Sequence, residues 1–391
     1  MNLWLLISLA LAAPQRAAAA TAPNRRDKLA PPPGAVWRGS SIMQGEEDSP
    51  KLWGERYGKA LHILRYFANQ FPKQLIIPEH VIDFVRGGGI LWYNINMKDT
   101  TWLSVAKGDH NRTIDKWAAE VANLKPHHVL VVPFHEPEKY LGEAGYYAEQ
   151  YLQLWDVIQE RFYNGNARNA IWGLNFVGKK EKAAWKMKAI WPGHEKVDWL
   201  FFNFFQTPCT GTHEDSFDTL CGGIYSALDR TDQDECGRGV TCNFHKVNWG
   251  IGAFGTASRT DCDKPAVPSE ARATFFQTAA DTMAQYPRLL AYVYFDAIES
   301  AVATQQMEQT GELDYSTKAA YMQYLLAPAF QKADEYWRAA TSLVVPSGDG
   351  SGSGSGSGGG TEEVSGTFCT VAPQASVLLA AFAAVATPLF Q

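Results

Sequence analysis

Eight short apolar runs recur along the chain, and most of them are separated by enough residues to form a helix. The runs cover residues 35–43, 60–67, 89–94, 128–134, 170–176, 197–205, 247–254 and 289–295. A run that is apolar without alternation, such as Val-Leu-Val-Val at 129–132, is typical of a strand buried on both faces. Eight strand–helix alternations predict an α/β fold, a (β/α)8 TIM barrel, as a single domain over residues 30–343.

Amphipathic segments between the runs support this architecture. Apolar residues recur at helical spacing over residues 114–124, 144–162, 269–286 and 317–337, which predicts four of the helices. The rival architecture is a doubly wound open sheet. That fold binds nucleotides at a G-x-G-x-x-G turn after its first strand, and no such turn follows residues 35–43. The pattern therefore favours the barrel.

Composition excludes several classes of function. The 391 residues carry a net charge of -6, and 46% of them are hydrophobic, which is typical of a globular protein. An acidic balance argues against a nucleic-acid partner, because binding to phosphates needs a basic face. The nine histidines show no H-x-x-x-H spacing and the cysteines no C-x-x-C pair, so we expect no metal and no cofactor. A G-x-S-x-G esterase motif is absent too.

Both ends of the chain resemble processing signals. Residues 1–20 combine a short apolar run with small residues at Ala18 and Ala20, which predicts a cleaved signal peptide rather than a buried helix. Residues 346–364 are rich in Gly and Ser, typical of a flexible linker. Residues 365–391 then give three small residues, a spacer and an apolar tail, the pattern of a GPI-anchor signal attached at Ser365. The alternative is a marginal transmembrane helix. Either way we expect an extracellular protein held at the cell surface, with the membrane as a partner through its lipid anchor.

Cysteine usage agrees with that location. Five cysteines cluster between the sixth and eighth runs: Cys209, Cys221, Cys236, Cys242 and Cys262. In a secreted chain this predicts two disulfides and one spare thiol, with the pairing left open. A glycosylation sequon begins at Asn111.

The exit of the fourth run carries the most chemistry. In a (β/α)8 barrel the functional residues follow the carboxyl ends of the strands. Here the run ends with His135 and Glu136. A buried glutamate at such a position has a raised pKa and stays protonated near neutrality, as a general acid requires. Glu138, two residues further along, is expected to be solvated.

These residues carry a resemblance to a known family. Pro-Phe-His-Glu at 133–136 resembles the acid/base motif of glycoside hydrolase family 26, the β-mannanase family. The segments 151–155 (Tyr-Leu-Gln-Leu-Trp), 168–175 (Arg-Asn-Ala-Ile-Trp-Gly-Leu-Asn) and 191–199, with its Trp-Pro-Gly and Val-Asp-Trp, resemble the family in the same order. The resemblance covers roughly residues 35–335. It implies a barrel that acts on or binds β-linked cell-wall polysaccharide or oligosaccharide, of mannan or β-glucan type, with Glu136 as acid/base.

The second catalytic group of the family is missing. A retaining glycosidase needs a carboxylate nucleophile about 5–5.5 Å from its acid. The family places a glutamate before Phe-Gly at the end of the seventh strand, where this chain has Ala253. Phe205 and Val132 likewise stand where the family has tyrosine and arginine. An alanine methyl group cannot attack a sugar, so we expect the covalent mechanism to be lost.

Two hypotheses stay open at this point. The protein is either a glycosidase with another carboxylate or a non-catalytic carbohydrate-binding or structural cell-surface protein. For the first, Asp296 after the eighth run is the best partner of Glu136, in an inverting mechanism with the carboxyls about 6.5–9.5 Å apart. For sugar contacts we select His135, Trp172, Phe205 and Tyr294, with Trp172 and Tyr294 expected to face the cleft on the family pattern.

Overall fold

The computed structural model describes residues 29–42, 50–68, 77–95, 100–178, 182–206, 216–256, 267–296 and 315–342. All of them belong to one compact unit, Met1–Val345. The predicted signal peptide, linker and anchor signal lie outside the described residues, as do Cys209 and Cys262. Within the described ranges, no helix has the length and apolarity needed to cross a membrane.

Eight parallel strands close into a barrel. In chain order they are β1 Trp37–Ile42, β2 Ile63–Ala68, β3 Ile90–Ile95, β4 Val129–Pro133, β5 Ala170–Val177, β6 Trp199–Gln206, β7 Asn248–Thr256 and β8 Leu289–Asp296. Each strand pairs with its neighbours in sequence, and β8 pairs with β1 to complete the ring. The (β/α)8 fold predicted from the sequence is confirmed, with each strand lying within its apolar run to within a few residues.

Helices cover the outside of the barrel. They are α1 Pro50–Tyr57, α2 Glu79–Arg86, α3 Trp102–Ala106, α4 Asn111–Asn123, α5 Ala148–Asn164, α6 Lys182–Ile190, α7 Phe217–Thr231, α8 Ser269–Gln285, α9 Tyr315–Leu325 and α10 Pro328–Ser342. The single helix predicted over residues 317–337 is two helices. Pro328 cannot donate a backbone hydrogen bond, so it starts α10 instead of continuing α9.

Aromatic side chains fill the barrel interior. Trp92 of β3 and Phe201 of β6 lie 4.0 Å apart, centroid to centroid, inside the ring of strands. Gly250 and Gly252 of β7 provide the space, because a Cβ atom at either position would collide with Phe201 or Trp92. A second, larger apolar layer lies between the strands and the helices. The interior is thus a packed core, not a pore.

One disulfide is present among the described cysteines. Cys236 and Cys242 are bonded across a short hairpin made by Glu235–Cys236 and Val240–Thr241. Cys221 on α7 is a buried free thiol. Asn111, the predicted glycosylation site, is the first residue of α4 and half-buried. Glycosylation there stays a prediction.

Candidate active site

The turn after β4 presents Glu136 to the carboxyl end of the barrel. Phe134 leaves the strand in a left-handed conformation (φ 68°) and packs outward against Trp102, 5.7 Å between ring centroids. Glu136 is left-handed as well (φ 51°), and its N–H donates to the Asn175 carbonyl of β5 at 3.1 Å. Non-glycine residues adopt this conformation rarely and at a cost, so surrounding contacts must hold the turn.

Three side chains hold the Glu136 carboxylate, which is only 8% exposed. Asn203 of β6 donates to Oε1 at 2.5 Å, and Lys139 forms an ion pair with Oε2. His135 Nε2 lies 3.6 Å from Oε2. Burial is the largest influence and raises the pKa of Glu136, but the His135 ring, the Lys139 ammonium and the Asn203 amide together outweigh it. The pKa of Glu136 therefore lies below its ordinary value of 4.5.

That result corrects the sequence-based expectation of a protonated general acid. Position after a buried strand correctly predicted the burial of Glu136, but not the cation beside it. Lys139 lies one short helical turn further on, in the 3-10 helix Pro137–Lys139, which brings its ammonium back to the carboxylate. Glu136 is ionised at neutral pH and has no proton to give to a leaving group.

His135 is a neutral imidazole in this site. Arg65 of β2 donates to its Nδ1 at 2.9 Å, which leaves the ring proton on Nε2, the nitrogen nearest Glu136. Burial chiefly, with the Arg65 and Lys139 cations, lowers the pKa of His135 to about 4 against the opposing effect of Glu136. A neutral ring at this position turns its N–H toward Glu136 without adding a second positive charge.

A network of buried polar side chains supports these residues from inside the barrel. The Arg65 guanidinium lies between the rings of Phe67 and Trp92, 4.6 and 4.4 Å from their centroids. It donates to Asn175 Oδ1 at 3.1 Å and to Asn203 Oδ1 at 3.4 Å. Sequence reasoning did not select Arg65, Asn175 or Asn203. Each is a polar residue within an otherwise apolar strand run, which was the available signal.

The opposite side of the site is apolar. Ala253 of β7 is fully buried and clusters with Phe295 of β8, and the half-buried Phe67 and Phe205 pack against this pair. The rings of Phe205 and Phe295 meet edge to face, 5.7 Å apart. The Ala253 N–H donates to Asn203 Oδ1, which ties β7 to the polar network. Where the resemblance requires a carboxylate, the structure has a methyl group enclosed by phenylalanines.

Asp296 is the last residue of β8, and its backbone pairs with Ile42 of β1 at the carboxyl edge of the barrel. This places it at the end of the barrel where Glu136 lies. Its side chain is outside the described part of the chain, so its role as partner of Glu136 stays a prediction.

The structure corrects the placement of two aromatic residues. Trp172 packs outward against Trp155 and Phe162 of α5, with centroids 5.9 and 5.1 Å away. Tyr294 packs outward against Phe276 of α8 and Tyr321 of α9, at 5.7 and 4.9 Å. Neither faces the cleft. Of the aromatic residues selected from the sequence for sugar contacts, Phe205 is the one that the structure places at the site.

Glu138 is also placed differently from the expectation. It is 4% exposed rather than solvated. Its Oε1 accepts a hydrogen bond from the Val177 N–H at the end of β5. Among the described residues, no cluster of three or more His, Cys, Asp or Glu side chains could hold a metal ion. The described site consists of an ionised carboxylate, a neutral imidazole, buried amides and aromatic side chains.

Comparison with solved structures shows a glycosidase-like fold. The chain is similar to a β-mannanase of glycoside hydrolase family 26 from Bacteroides ovatus, with 13% identity, a TM-score of 0.53, and coverage of 78% of this chain and 92% of that one. It is also similar to the catalytic domain of the family 26 endo-β-1,4-mannanase from Bacillus sp. JAMB-750. The identity is 10% and the TM-score 0.55, with coverage of 78% of this chain and 89% of that one. A double mutant of the Cellulomonas fimi endo-β-1,4-mannanase is similar as well. The identity is 13% and the TM-score 0.53, with coverage of 78% of this chain and 74% of that one.

This chain therefore has the barrel fold seen in family 26 β-mannanases, as the residue pattern implied. No protein-family model matches the sequence, and no curated protein matches it either. The structural likeness, at this low identity, concerns the fold.

Proposed function

We propose that this protein binds β-linked polysaccharide, of mannan or β-glucan type, in the cleft at the carboxyl ends of the strands and does not cleave it by a retaining mechanism. The observation that carries the proposal is the state of Glu136. Its carboxylate is ionised and held by Lys139 and Asn203, so the group in the acid position lacks the proton that glycoside cleavage needs.

The apolar side of the site, which we call the apolar wall, also argues against a retaining mechanism. It consists of Ala253, Phe295, Phe67 and Phe205. Retaining chemistry needs a second carboxylate about 5–5.5 Å from the first. Ala253 of β7 and Phe295 of β8 place apolar groups there, and neither side chain can attack an anomeric carbon. The wall can still bind a sugar, because the apolar face of a pyranose packs on aromatic rings such as those of Phe67 and Phe205.

Mannan is the first ligand to test, since the solved structures with this fold include endo-β-1,4-mannanases. Purified protein is titrated with manno-oligosaccharides and mixed-linkage gluco-oligosaccharides by calorimetry, and the same samples are assayed for new reducing ends. We expect binding of one of the two ligand sets without reducing-end release. Phe205→Ala should weaken binding about tenfold, from the loss of one stacking contact of roughly 1.4 kcal/mol.

The matched control is Tyr163→Ala. Tyr163 is an exposed aromatic residue near the far end of α5, at the opposite end of the barrel from the site. It should leave binding unchanged. Reducing-end release that disappears in Glu136→Gln would overturn the binding-only proposal. If that release proceeds with inversion of configuration, the pair of Glu136 and Asp296 is the catalytic one instead.

We further propose that the protein is displayed on the cell surface, since residues 1–20 and 365–391 have the patterns of a signal peptide and a GPI-anchor signal. Replacing Ser365, Gly366 and Thr367 with bulky residues should block attachment. Bulky substitutions at three positions of the Gly/Ser linker are the control. The anchor site is placed incorrectly if phospholipase releases the first variant from cells as it does the unaltered protein.

A further inference from the structure

Glu138 belongs to the same turn as Glu136, and its side chain is buried near β5, α5 and α6. Its Oε1 accepts from the Val177 N–H at the end of β5, and its backbone carbonyl accepts from Lys186 Nζ of α6 at 2.8 Å. Its Oε2 is buried and finds no hydrogen-bond partner among the described residues. A carboxyl group in this setting is costly to ionise, because one of its oxygens has neither water nor a donor to stabilise a charge.

The titratable and charged groups around Glu138 come from its own turn and from two helices. Glu136 and Lys139 belong to the turn, Lys186 to α6, and the fully buried Tyr151 to α5. Burial chiefly, with the negative charge of Glu136, raises the pKa of Glu138 to about 8, against the lowering effects of the Val177 hydrogen bond and Lys139. Glu138 is therefore a neutral acid at pH 7.

The turn is fastened to β5 at two points. Glu136 donates its N–H to the Asn175 carbonyl, and Glu138 accepts from the Val177 N–H two residues further along the same strand. These contacts fix the left-handed backbone of Glu136 and so direct its carboxylate toward Asn203 and Lys139. A change at Glu138 thus reaches the site through the turn, without Glu138 itself entering the cleft.

We propose that Glu138 is a positioning residue that fastens the Glu136 turn to the end of β5, and that loss of its proton loosens the turn and weakens glycan binding. The cause is Oε2, which then carries charge without a donor, so that the turn opens to let water reach it. The binding part of this inference rests on the function proposed above. The stability part does not, since it concerns the folded state alone.

The sign of the stability effect follows from proton linkage. The folded state keeps a proton on Glu138 up to about pH 8, whereas the unfolded chain releases it near the ordinary value of 4.5. Unfolding therefore releases a proton in this window, and stability falls as pH rises from 4.5 to 8. Glu138→Gln keeps the acceptor oxygen and the size of the side chain but has no proton to lose.

The experiment compares melting temperatures of the full-length protein, Glu138→Gln and Glu143→Gln between pH 5 and 9. Glu143 is an exposed glutamate of the same loop and serves as the matched control. We expect Glu138→Gln to gain stability over the unaltered protein progressively from pH 5 to 8, and Glu143→Gln to follow the unaltered protein. A constant difference between Glu138→Gln and the unaltered protein across this range overturns the inference.

Binding gives the second readout. With a pKa of about 8, nine-tenths of Glu138 is ionised at pH 9, so the Kd of a manno-oligosaccharide should be about tenfold weaker at pH 9 than at pH 7. Glu138→Gln should abolish that dependence. Equal pH dependence in both proteins overturns the proposed effect on binding. Absence of binding at every pH contradicts the proposed function instead, and the melting temperatures then decide the inference separately.

A third measurement needs no variant. Hydrogen exchange of the Val177 N–H, corrected for the intrinsic effect of pH, should accelerate above pH 8 in the unaltered protein, because opening of this contact lets water reach the charged, otherwise unpartnered Oε2 of Glu138. The Val131 N–H in the centre of β4 is the internal reference. Exchange at Val177 that follows the reference through pH 9 contradicts the inference, even if Glu138→Gln fails to fold.

Discussion

Two buried arginines lie at opposite ends of this barrel, and their surroundings differ. Arg38 lies near the amino end of β1. It bonds to Asp334 of α10 at 2.6 Å and to the carbonyls of Ala60 and Leu325. Arg65 is in the middle of β2, and its guanidinium bonds to amide oxygens and to His135 at the carboxyl end of the barrel. Each side chain is 1% exposed. Arg38 pairs directly with a carboxylate, and Arg65 contacts two amides and an imidazole that themselves lie beside Glu136.

The different surroundings of the two arginines suggest different roles for the two ends of the barrel. At the amino end, the buried His62, the residue before β2, contacts the same carboxylate, with its Nε2 3.0 Å from Asp334 Oδ1. The cluster thus ties β1, the start of β2 and α10 together. At the carboxyl end the polar network lies at the face of the barrel where ligands bind in barrels of this kind. We infer that the amino-end cluster stabilises the fold, whereas the carboxyl-end network positions Glu136 for a ligand. The following changes test that contrast.

The largest effect is expected for Asp334→Ala. It leaves the buried Arg38 without its carboxylate, and breaking a buried ion pair costs about 3–5 kcal/mol of unfolding free energy. Chemical denaturation measures the change. Glu335→Ala, at an exposed acid on the same helix, should change stability by less than about 0.5 kcal/mol. A loss of stability below that limit for Asp334→Ala would mean that the amino-end cluster does not stabilise the fold.

Asn203→Ala should have a smaller effect on stability and a specific effect at the site. It removes the amide that donates to Glu136 and accepts from Ala253, and leaving such groups unpaired costs about 1–3 kcal/mol. The pKa of Glu136 should rise as well. Denaturation and glycan titration check both parts, with Asn164→Ala on the surface of α5 as control. Unchanged glycan affinity would argue against a positioning role for the network.

Both ends hold a buried histidine whose pKa is lowered, His62 at the amino end and His135 at the carboxyl end, and only the carboxyl end adds Glu138, whose pKa is raised. Burial chiefly lowers the pKa of His62 below 6.5, although Asp334 opposes this. The unfolded chain then binds a proton that the folded state excludes, so stability falls as pH decreases below 6.5. Glu138 has the opposite effect, because its raised pKa makes stability fall as pH rises. Melting temperatures between pH 5 and 7 should show a smaller acid-side loss in His62→Gln than in the unaltered protein, whereas equal losses would exclude His62 as the cause.

The smallest effect on stability is expected for Lys139→Met. The Lys139 side chain is 56% exposed, and ion pairs of that kind contribute less than about 1 kcal/mol. Its effect on Glu136 should be clear, because burial then acts with one cation fewer and the pKa rises. Carbon-13 NMR of the glutamate carboxyls follows this, with Lys51→Met on α1 as a distant control. A Glu136 pKa that does not move would show that Lys139 does not hold it.

The strands were predictable from the sequence because strands buried on both faces leave long apolar runs. The facing of single residues was not. Side chains of a strand alternate between its two faces, but a fully apolar run hides which positions point inward. Trp172 lies between Ile171 and Gly173 in β5, and it points out to α5 while Ile171 points into the barrel. The predicted cleft position of Trp172 failed for that reason.

The chemistry of Glu136 was only half predictable. Its position after β4 correctly indicated burial, and the resemblance correctly indicated the fold. Its protonation depends on Lys139 and Asn203, which the tight turn and the curvature of the barrel bring to it. Asn203 is 67 residues away in the chain. Contacts of this range depend on the closed barrel, and the order of residues alone did not reveal them.

The pKa of Glu136 in the unaltered protein shows most directly whether this site holds an ionised carboxylate or a general acid. Carbon-13 NMR of a sample labelled at glutamate carboxyls gives this value, with the resonance assigned through its absence in Glu136→Gln. We expect a pKa below 4.5, because the His135 ring, the Lys139 ammonium and the Asn203 amide together stabilise the carboxylate more than burial disfavours it. A pKa of about 6 or above, as in a working general acid, would contradict this expectation.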